Sequence, residues 1–308
     1  MMPMNDSTSK NDIADPPDKK GMQIFGPKDR LVGFKTEASS GPGGIGAILW
    51  GMGIAQLRVA RHLTNWGIPS LQVKLADRDF SKGHYSHDGV ALVRAAMDRL
   101  AAQHDIDAFI LVANCAFANI CLNTAVSDSR ISMMALTNPY LTGRQKRELQ
   151  RWSFAGKIFR KDKWMQLLQG KVDLISSFHS AISMLTGRYT KGLRDDTVSV
   201  NRSNPNIGIG NDMILPVGLD KELRSLCDRG VEIYYACSAT ELGLRYLNKH
   251  YRKTLKELQT RGTLTMATID TDVHLMGTNS EGALMHSDAI RQWLSRSTRL
   301  SCRSPDPI

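Results

Sequence analysis

The chain has 308 residues, of which 42% are hydrophobic and 23% are charged, and its formal net charge at pH 7 is +10. This length can bury the core of one large α/β domain with an insertion, and no apolar run approaches the roughly 20 residues that span a bilayer. Residues 1–20 also lack the apolar core of a signal peptide, so we expect a cytoplasmic protein without stable membrane insertion.

The cysteines and the basic residues indicate no disulfide framework, zinc site or nucleic-acid surface. The cysteines contain no CxxC pair and are widely spaced, at Cys115, Cys121, Cys227, Cys237 and Cys302. We therefore expect reduced thiols, and neither a metal ion nor a cofactor. Lysine and arginine are spread along the chain, and the local clusters at 143–151 and 159–164 are more typical of a solvated helical face than of a nucleic-acid site.

The first part of the chain reads as a disordered tail followed by strands and helices. Residues 1–20 are polar and too poor in apolar residues to fold alone. The segments that follow predict an antiparallel hairpin and then, after a glycine-rich loop, a strand-helix-strand unit. In chain order they are hairpin strands 22–26 and 30–36, loop 39–46, strand 46–50, helix 54–66 with Gly67 at its end, and strand 70–75.

The alternation of helices and strands continues and is interrupted once. The predicted elements are helix 90–104, strand 108–114, a short helix after Cys115, strand 131–139, helix 221–230, strand 231–237, one helix over 242–262, strand 263–270 and helix 287–297. This pattern predicts an α/β fold, with a mostly parallel central sheet flanked by helices on both faces. We expect the core to comprise 21–142 and 213–298, with a helical lid insertion at 143–212 and a flexible tail at 299–308.

The glycine turn after the strand 46–50 allows two interpretations. Strand, turn and helix are typical of a dinucleotide fingerprint, and Asp77 follows at a suitable distance, but Gln56 replaces the third glycine. A second glycine pattern at 41–46 precedes a strand instead of following one. Alternatively, the backbone amides of the Gly51-Met52-Gly53 turn face a reacting carbonyl, as in the oxyanion hole of an α/β-hydrolase.

The turn at Cys115 is typical of the second interpretation. In α/β-hydrolases a nucleophile within G-x-S-x-G projects from a sharp turn between a strand and a helix. Here the turn reads Ala113-Asn114-Cys115-Ala116-Phe117, with alanine and phenylalanine in place of the glycines. Phe117 is the larger departure, and we expect it to affect the geometry of the turn or the activity of Cys115.

An acid and a base follow in the order that such enzymes use. Glu241 comes after the strand 231–237, where the orienting carboxylate of a triad belongs, and His274 comes after the last strand, where the general base belongs. Asp272 is an alternative acid, although its closeness to His274 in sequence favours a side chain that points away from the imidazole. The amides of Ala116, Met52 and Gly53 complete the predicted oxyanion hole.

The chain resembles the α/β-hydrolase superfamily, and more narrowly the exosortase A system-associated hydrolases found with bacterial exopolysaccharide gene clusters. The resemblance covers about 22–295 and rests on four segments, at 111–141, 163–173, 239–247 and 272–294. It implies Cys115 as nucleophile, His274 as base and Glu241 as acid. It also implies a role near exopolysaccharide biosynthesis.

These residues predict acyl chemistry. A cysteine at a helix amino terminus and beside a histidine can exist as a thiolate, which attacks esters and thioesters. The acyl group of the resulting acyl-enzyme can be transferred to water, an alcohol, an amine or a thiol, so both hydrolysis and acyl transfer are consistent with these residues.

We expect a small-molecule acyl ester or thioester as substrate, either free or bound to an anionic carrier. We expect no nucleic-acid partner. The alternatives are an inactive relative that binds or assembles, with Phe117 filling the pocket, and a nucleotide-binding oxidoreductase.

Overall fold

Eight strands form one sheet in the computed structural model, which describes residues 22–26, 31–36, 44–51, 53–75, 89–142, 144–149, 215, 218–239, 241–270 and 280–300. The strands are β1 (Met22–Phe25), β2 (Leu31–Thr36), β3 (Gly44–Trp50), β4 (Ser70–Leu75), β5 (Ile106–Asn114), β6 (Ile131–Thr137), β7 (Glu232–Ser238) and β8 (Leu264–Ile269). The helices are α1 (Ile54–Asn65), α2 (Gly89–Ala101), α3 (Cys115–Ser127), α4 (Leu219–Asp228), α5 (Leu242–His250), α6 (Arg252–Thr260) and α7 (Ser280–Arg296). Residues 144–149 form a further helical turn.

The sheet has the strand order β1-β2-β4-β3-β5-β6-β7-β8. The β1–β2 and β2–β4 pairs are antiparallel, which confirms the predicted hairpin as the lead-in to the sheet. The remaining neighbouring pairs, β4–β3, β3–β5, β5–β6, β6–β7 and β7–β8, are parallel. A mostly parallel sheet is therefore confirmed, and the carboxyl ends of six strands meet at one side of it.

Helices cover both faces of the sheet, as the alternation predicts. One face packs against α2, α3, α4, α5 and α6, and its core contains Trp50, Phe109 and Tyr235. The opposite face packs against α1 and α7 through Val59, Leu63 and Trp293. Central strands are buried on both sides, which explains the nearly continuous apolar runs of β5 and β6.

Several element boundaries differ from the sequence prediction. The helix predicted over 242–262 is two helices, because Tyr251 has non-helical dihedral angles of φ −126° and ψ 8°. Its ring stands edge-on to Tyr246, with centroids 6.2 Å apart, and α5 and α6 each bury their own apolar side chains. Strand β3 begins earlier, at Gly44, and α7 begins earlier, at Ser280.

Most of the predicted lid at 143–212 lies outside the described residues, as do the predicted tail at 1–20 and residues 301–308. Of the predicted tail at 299–308, only residues 299 and 300 are described. Leu300 is 3% exposed, and the Arg299 guanidinium donates to the Gly230 carbonyl at 2.8 Å. Within the part of the chain that the structure describes, no helix is both long and apolar enough to cross a membrane.

Candidate functional site

The predicted site residues that the structure describes lie at the carboxyl ends of the parallel strands. Cys115 follows β5 directly, Gly53 follows β3, and Glu241 follows β7. Asn114 pairs with Thr137 of β6, and Thr137 pairs with Ala236 of β7. Because neighbouring strands lie roughly 4.8 Å apart, the ends of β5 and β7 are separated by about 10 Å. Cys115 and Glu241 thus flank the end of β6 on the same side of the sheet.

Cys115 has the backbone of a strained turn between a strand and a helix. Its φ is +54°, a left-handed conformation that non-glycine residues rarely adopt. Strain of this kind costs on the order of 1–3 kcal/mol and is concentrated at functional sites. The sharp turn predicted at Cys115 is therefore present although both glycines of the usual pattern are absent.

Cys115 also differs from the other described cysteines in exposure. It is partly exposed, whereas Cys121, Cys227 and Cys237 are buried. Burial raises the pKa of the Cys121 and Cys227 thiols. Burial, with a smaller contribution from the charge of Glu241, raises the pKa of Cys237 to about 12. Among the described cysteines, Cys115 is the accessible one.

The amino terminus of α3 presents backbone donors beside Cys115. The first N–H groups of a helix have no acceptor within the helix, and the side chain of Asn114, the residue before α3, makes no capping hydrogen bond. Ala116, the residue after Cys115, belongs to this turn. Its amide is the donor that the sequence analysis predicts to follow the nucleophile in an oxyanion hole.

The glycine loop after β3 contains the residues predicted to form the second side of an oxyanion hole. Gly51 has φ +112°, and its N–H donates to the Val73 carbonyl of β4 at 2.8 Å. Gly53 caps α1 with φ −79° and ψ 169°, and its carbonyl accepts from the N–H of Leu57 at 3.1 Å. Met52 lies outside the described residues.

Phe117 packs on the last residue of β3. Its ring is stacked on that of Trp50, with centroids 4.6 Å apart and planes 10° from parallel. Trp50 is 1% exposed, and Phe117 is partly exposed. The side chain that replaces the second glycine is thus held against the core, and the turn at Cys115 keeps its left-handed conformation.

Asn138, which the sequence analysis did not single out, lies beside the candidate site residues. It is buried, has φ +46° and follows β6. Its N–H donates to the Ala236 carbonyl at 2.9 Å, and its Oδ1 accepts from the N–H of Ser238 at 2.9 Å. The Ser238 carbonyl in turn accepts from the N–H of Glu241 at 3.1 Å. Asn138 therefore fixes the turn that carries Glu241, and the Asn-Pro pair at the end of a strand is the signal that could have revealed it.

A buried histidine also lies near the end of β6. His286 of α7 is 4% exposed, and its Nε2 is 3.2 Å from the Thr137 hydroxyl. Burial lowers its pKa to about 4, so the imidazole is neutral at physiological pH. This residue was not predicted, because a single histidine in a helical pattern carries no signal of its partner.

The predicted base follows β8 in the sequence and lies outside the described residues. His274 and Asp272 belong to 271–279, outside the described residues, in the segment that follows Ile269 and Asp270. Glu241 is described: it has extended dihedral angles, φ −70° and ψ 136°, and directly precedes α5. Among the described residues there is no group of three or more His, Cys, Asp or Glu side chains that could hold a metal ion.

Comparisons with known proteins support the architecture. No protein-family model and no curated protein matches the chain. A solved α/β hydrolase of unknown function from Agrobacterium tumefaciens superposes with a TM-score of 0.51 at 13% identity, over 93% of this chain and 100% of that one.

Two further solved structures are similar. A highly thermostable carboxyl esterase from Bacillus coagulans gives a TM-score of 0.51 at 12% identity, over 89% of this chain and 96% of that one. Est1E from Butyrivibrio proteoclasticus gives a TM-score of 0.50 at 8% identity, over 89% of this chain and 97% of that one. Likeness at such low identity defines the fold, and the chain has an α/β-hydrolase fold.

Proposed function

We propose that the chain is an acyl hydrolase or acyltransferase that acts on esters or thioesters with Cys115 as nucleophile. The single observation that carries the proposal is the left-handed backbone of a partly exposed Cys115 between β5 and α3. This is the position from which a nucleophile projects in the α/β-hydrolase fold. His274 is the proposed base and Glu241 its orienting acid, with Asp272 as the alternative acid.

The proposed reaction has two halves. His274 takes the proton of the Cys115 thiol, and the sulfur attacks the carbonyl carbon to form a C–S bond. The amides of Ala116 and of the Met52-Gly53 segment stabilise the negative oxygen. The bond to the leaving alcohol or thiol then breaks, and that group takes the proton from His274.

In the second half an acceptor releases the acyl group. Water, an alcohol, an amine or a thiol loses a proton to His274 and attacks the thioester carbonyl. The C–S bond breaks, and the sulfur of Cys115 regains the proton. Water as acceptor makes the protein a hydrolase, and any other acceptor makes it an acyltransferase.

The resemblance to exosortase A system-associated hydrolases supports a narrower proposal. It favours a role near exopolysaccharide biosynthesis. The thiolate chemistry favours a small acyl ester or thioester as substrate, free or carrier-bound, and we propose a cytoplasmic site of action. A second candidate, an inactive relative that binds a partner, is favoured by Phe117 in place of the second glycine of the usual turn.

The decisive experiment compares turnover and thiol reactivity. We expect iodoacetamide to label Cys115 before the other cysteines, and Cys115→Ala to lower the hydrolysis of p-nitrophenyl acetate by about 10³-fold or more. Cys227→Ala, at a buried cysteine, serves as the matched control and should retain activity. Slow labelling of Cys115, together with no turnover of the unsubstituted protein above background, would favour the inactive relative.

A further inference from the structure

The stacked rings of Trp50 and Phe117 join the two backbone segments that form the proposed oxyanion hole. Phe117 directly follows Ala116, the donor after Cys115. Trp50 directly precedes the loop that begins at Gly51. The rings are 4.6 Å apart between centroids and nearly parallel. Each ring is therefore within one or two residues of a proposed donor.

Among the described residues of these two segments, the backbone ladder forms no direct link. The register of β3 with β5 ends at Leu49 and Val112. Beyond that pair, the N–H of Gly51 bonds to Val73 of β4, on the side of β3 away from β5. At the end of β5, Asn114 pairs with Thr137 of β6, on the side of β5 away from β3. The glycine loop and the turn at Cys115 are thus anchored to different neighbours.

We infer that Trp50 and Phe117 are positioning residues that set the distance between the two sides of the oxyanion hole. The inference rests on the proposed function and deepens it. Two amides stabilise one oxyanion only when both lie about 3 Å from it, and a misplacement of roughly 1 Å can cost about 10²-fold in rate. A face-to-face contact between two rigid rings fixes such a distance more firmly than an aliphatic contact does.

This role accounts for phenylalanine at the place where the usual turn has glycine. A glycine there would leave the Trp50 ring without its stacking partner. In this chain the stacked rings of Trp50 and Phe117 provide a contact between the turn at Cys115 and the end of β3.

The test compares two reactions of Cys115, of which only one needs an oxyanion hole. Hydrolysis of p-nitrophenyl acetate by Cys115 passes through a negatively charged oxygen. Alkylation of Cys115 by iodoacetamide displaces iodide at a saturated carbon and forms no oxyanion. Variants that remove a ring are Phe117→Leu and Trp50→Leu, and matched variants that keep one are Phe117→Tyr and Trp50→Phe.

We expect each leucine variant to lower kcat about 10- to 100-fold while KM and the alkylation rate change less than about threefold. The ring-keeping variants should retain kcat within about threefold, and the double leucine variant should be no slower than the slower single one. Thermal unfolding followed by circular dichroism checks that each variant is folded. Should a leucine variant fail to fold, the ring-keeping variants and the other leucine variant give the same comparison.

Two results would overturn the inference. One is a kcat that survives loss of either ring in a folded variant. The other is a parallel fall in alkylation and hydrolysis, which would mean that the rings act on Cys115 itself. Failure of the proposed function gives a different result, in which Cys115→Ala leaves turnover unchanged, and the inference then falls with it.

Discussion

Two described residues other than glycine have left-handed backbones, Cys115 and Asn138, and they follow neighbouring strands. A left-handed conformation costs roughly 1–2 kcal/mol for most residues, although asparagine tolerates it better. The surroundings of Asn138 compensate for this cost through two hydrogen bonds of 2.9 Å to Ala236 and Ser238. The side chain of Asn138 thus holds β7, and with it the turn that carries Glu241.

Substitutions at Asn138 should separate its backbone and side-chain contributions. Asn138→Gly keeps the left-handed backbone but leaves the N–H of Ser238 without its acceptor, which should lower the free energy of unfolding by about 1–3 kcal/mol. Asn138→Ala loses the same bond and adds strain, so it should cost about 1 kcal/mol more. Urea denaturation measures both values. Equal stability of the two variants would contradict the strain argument.

At the scale of the element, the position of α5 depends on a close contact with the end of β6. A Cβ atom at Gly243 would lie 3.0 Å from Cγ, 3.1 Å from Cδ and 3.2 Å from the carbonyl oxygen of Pro139. Because one of these atoms belongs to the backbone and the others to a rigid ring, α5 must move to accommodate a side chain. Glu241, which directly precedes α5, would move with it.

Gly243→Ala should therefore impair the site as well as the packing. Overpacking of about 1–3 kcal/mol is partly offset by the roughly 1 kcal/mol that alanine gains over glycine in a helix. We expect a small change in the urea midpoint together with a several-fold fall in kcat on p-nitrophenyl acetate. Asn248→Ala, at an exposed position of the same helix, is the matched control and should change neither value appreciably.

Local patterns were sufficient to predict most elements, whereas contacts between distant residues were not predictable. Alternating strands and helices predicted the parallel sheet, and the apolar strand that ends at Cys115 predicted the turn. The break at Tyr251 was missed because 242–262 has a continuous helical period. The stack of Trp50 on Phe117 joins residues that only the fold brings together, so no pattern in the sequence indicated it.

At the scale of the whole molecule, His286 connects α7 to the central sheet. Helix α7 lies on the same face as α1, where Asp288 is 3.6 Å from the guanidinium of Arg58. His286 reaches Thr137 at the end of β6 and is neutral, because burial lowers its pKa to about 4. In the unfolded chain a histidine has a pKa near 6.5.

The stability of the protein should therefore fall in mild acid. Between about pH 6.5 and pH 4 the unfolded chain binds a proton that folded His286 does not, so the free energy of unfolding decreases as pH falls. Above pH 6.5 His286 does not lower the free energy of unfolding. Near pH 4 its effect lowers this free energy by roughly 3 kcal/mol. Urea denaturation at several pH values measures it. His286→Gln should show a shallower pH dependence, and identical slopes for the two proteins would contradict this assignment.

The anchoring of the glycine loop to β4 and of the Cys115 turn to β6 means that the site straddles the middle of the sheet. Any substitution that alters the twist between the central strands would change the gap between the two halves of the site. Repacking deep beneath α2 or α3 could therefore slow or speed catalysis without touching a side chain near the substrate. Under the proposed function, selection for faster turnover would favour changes in the interior of the protein as readily as changes around the opening of the site.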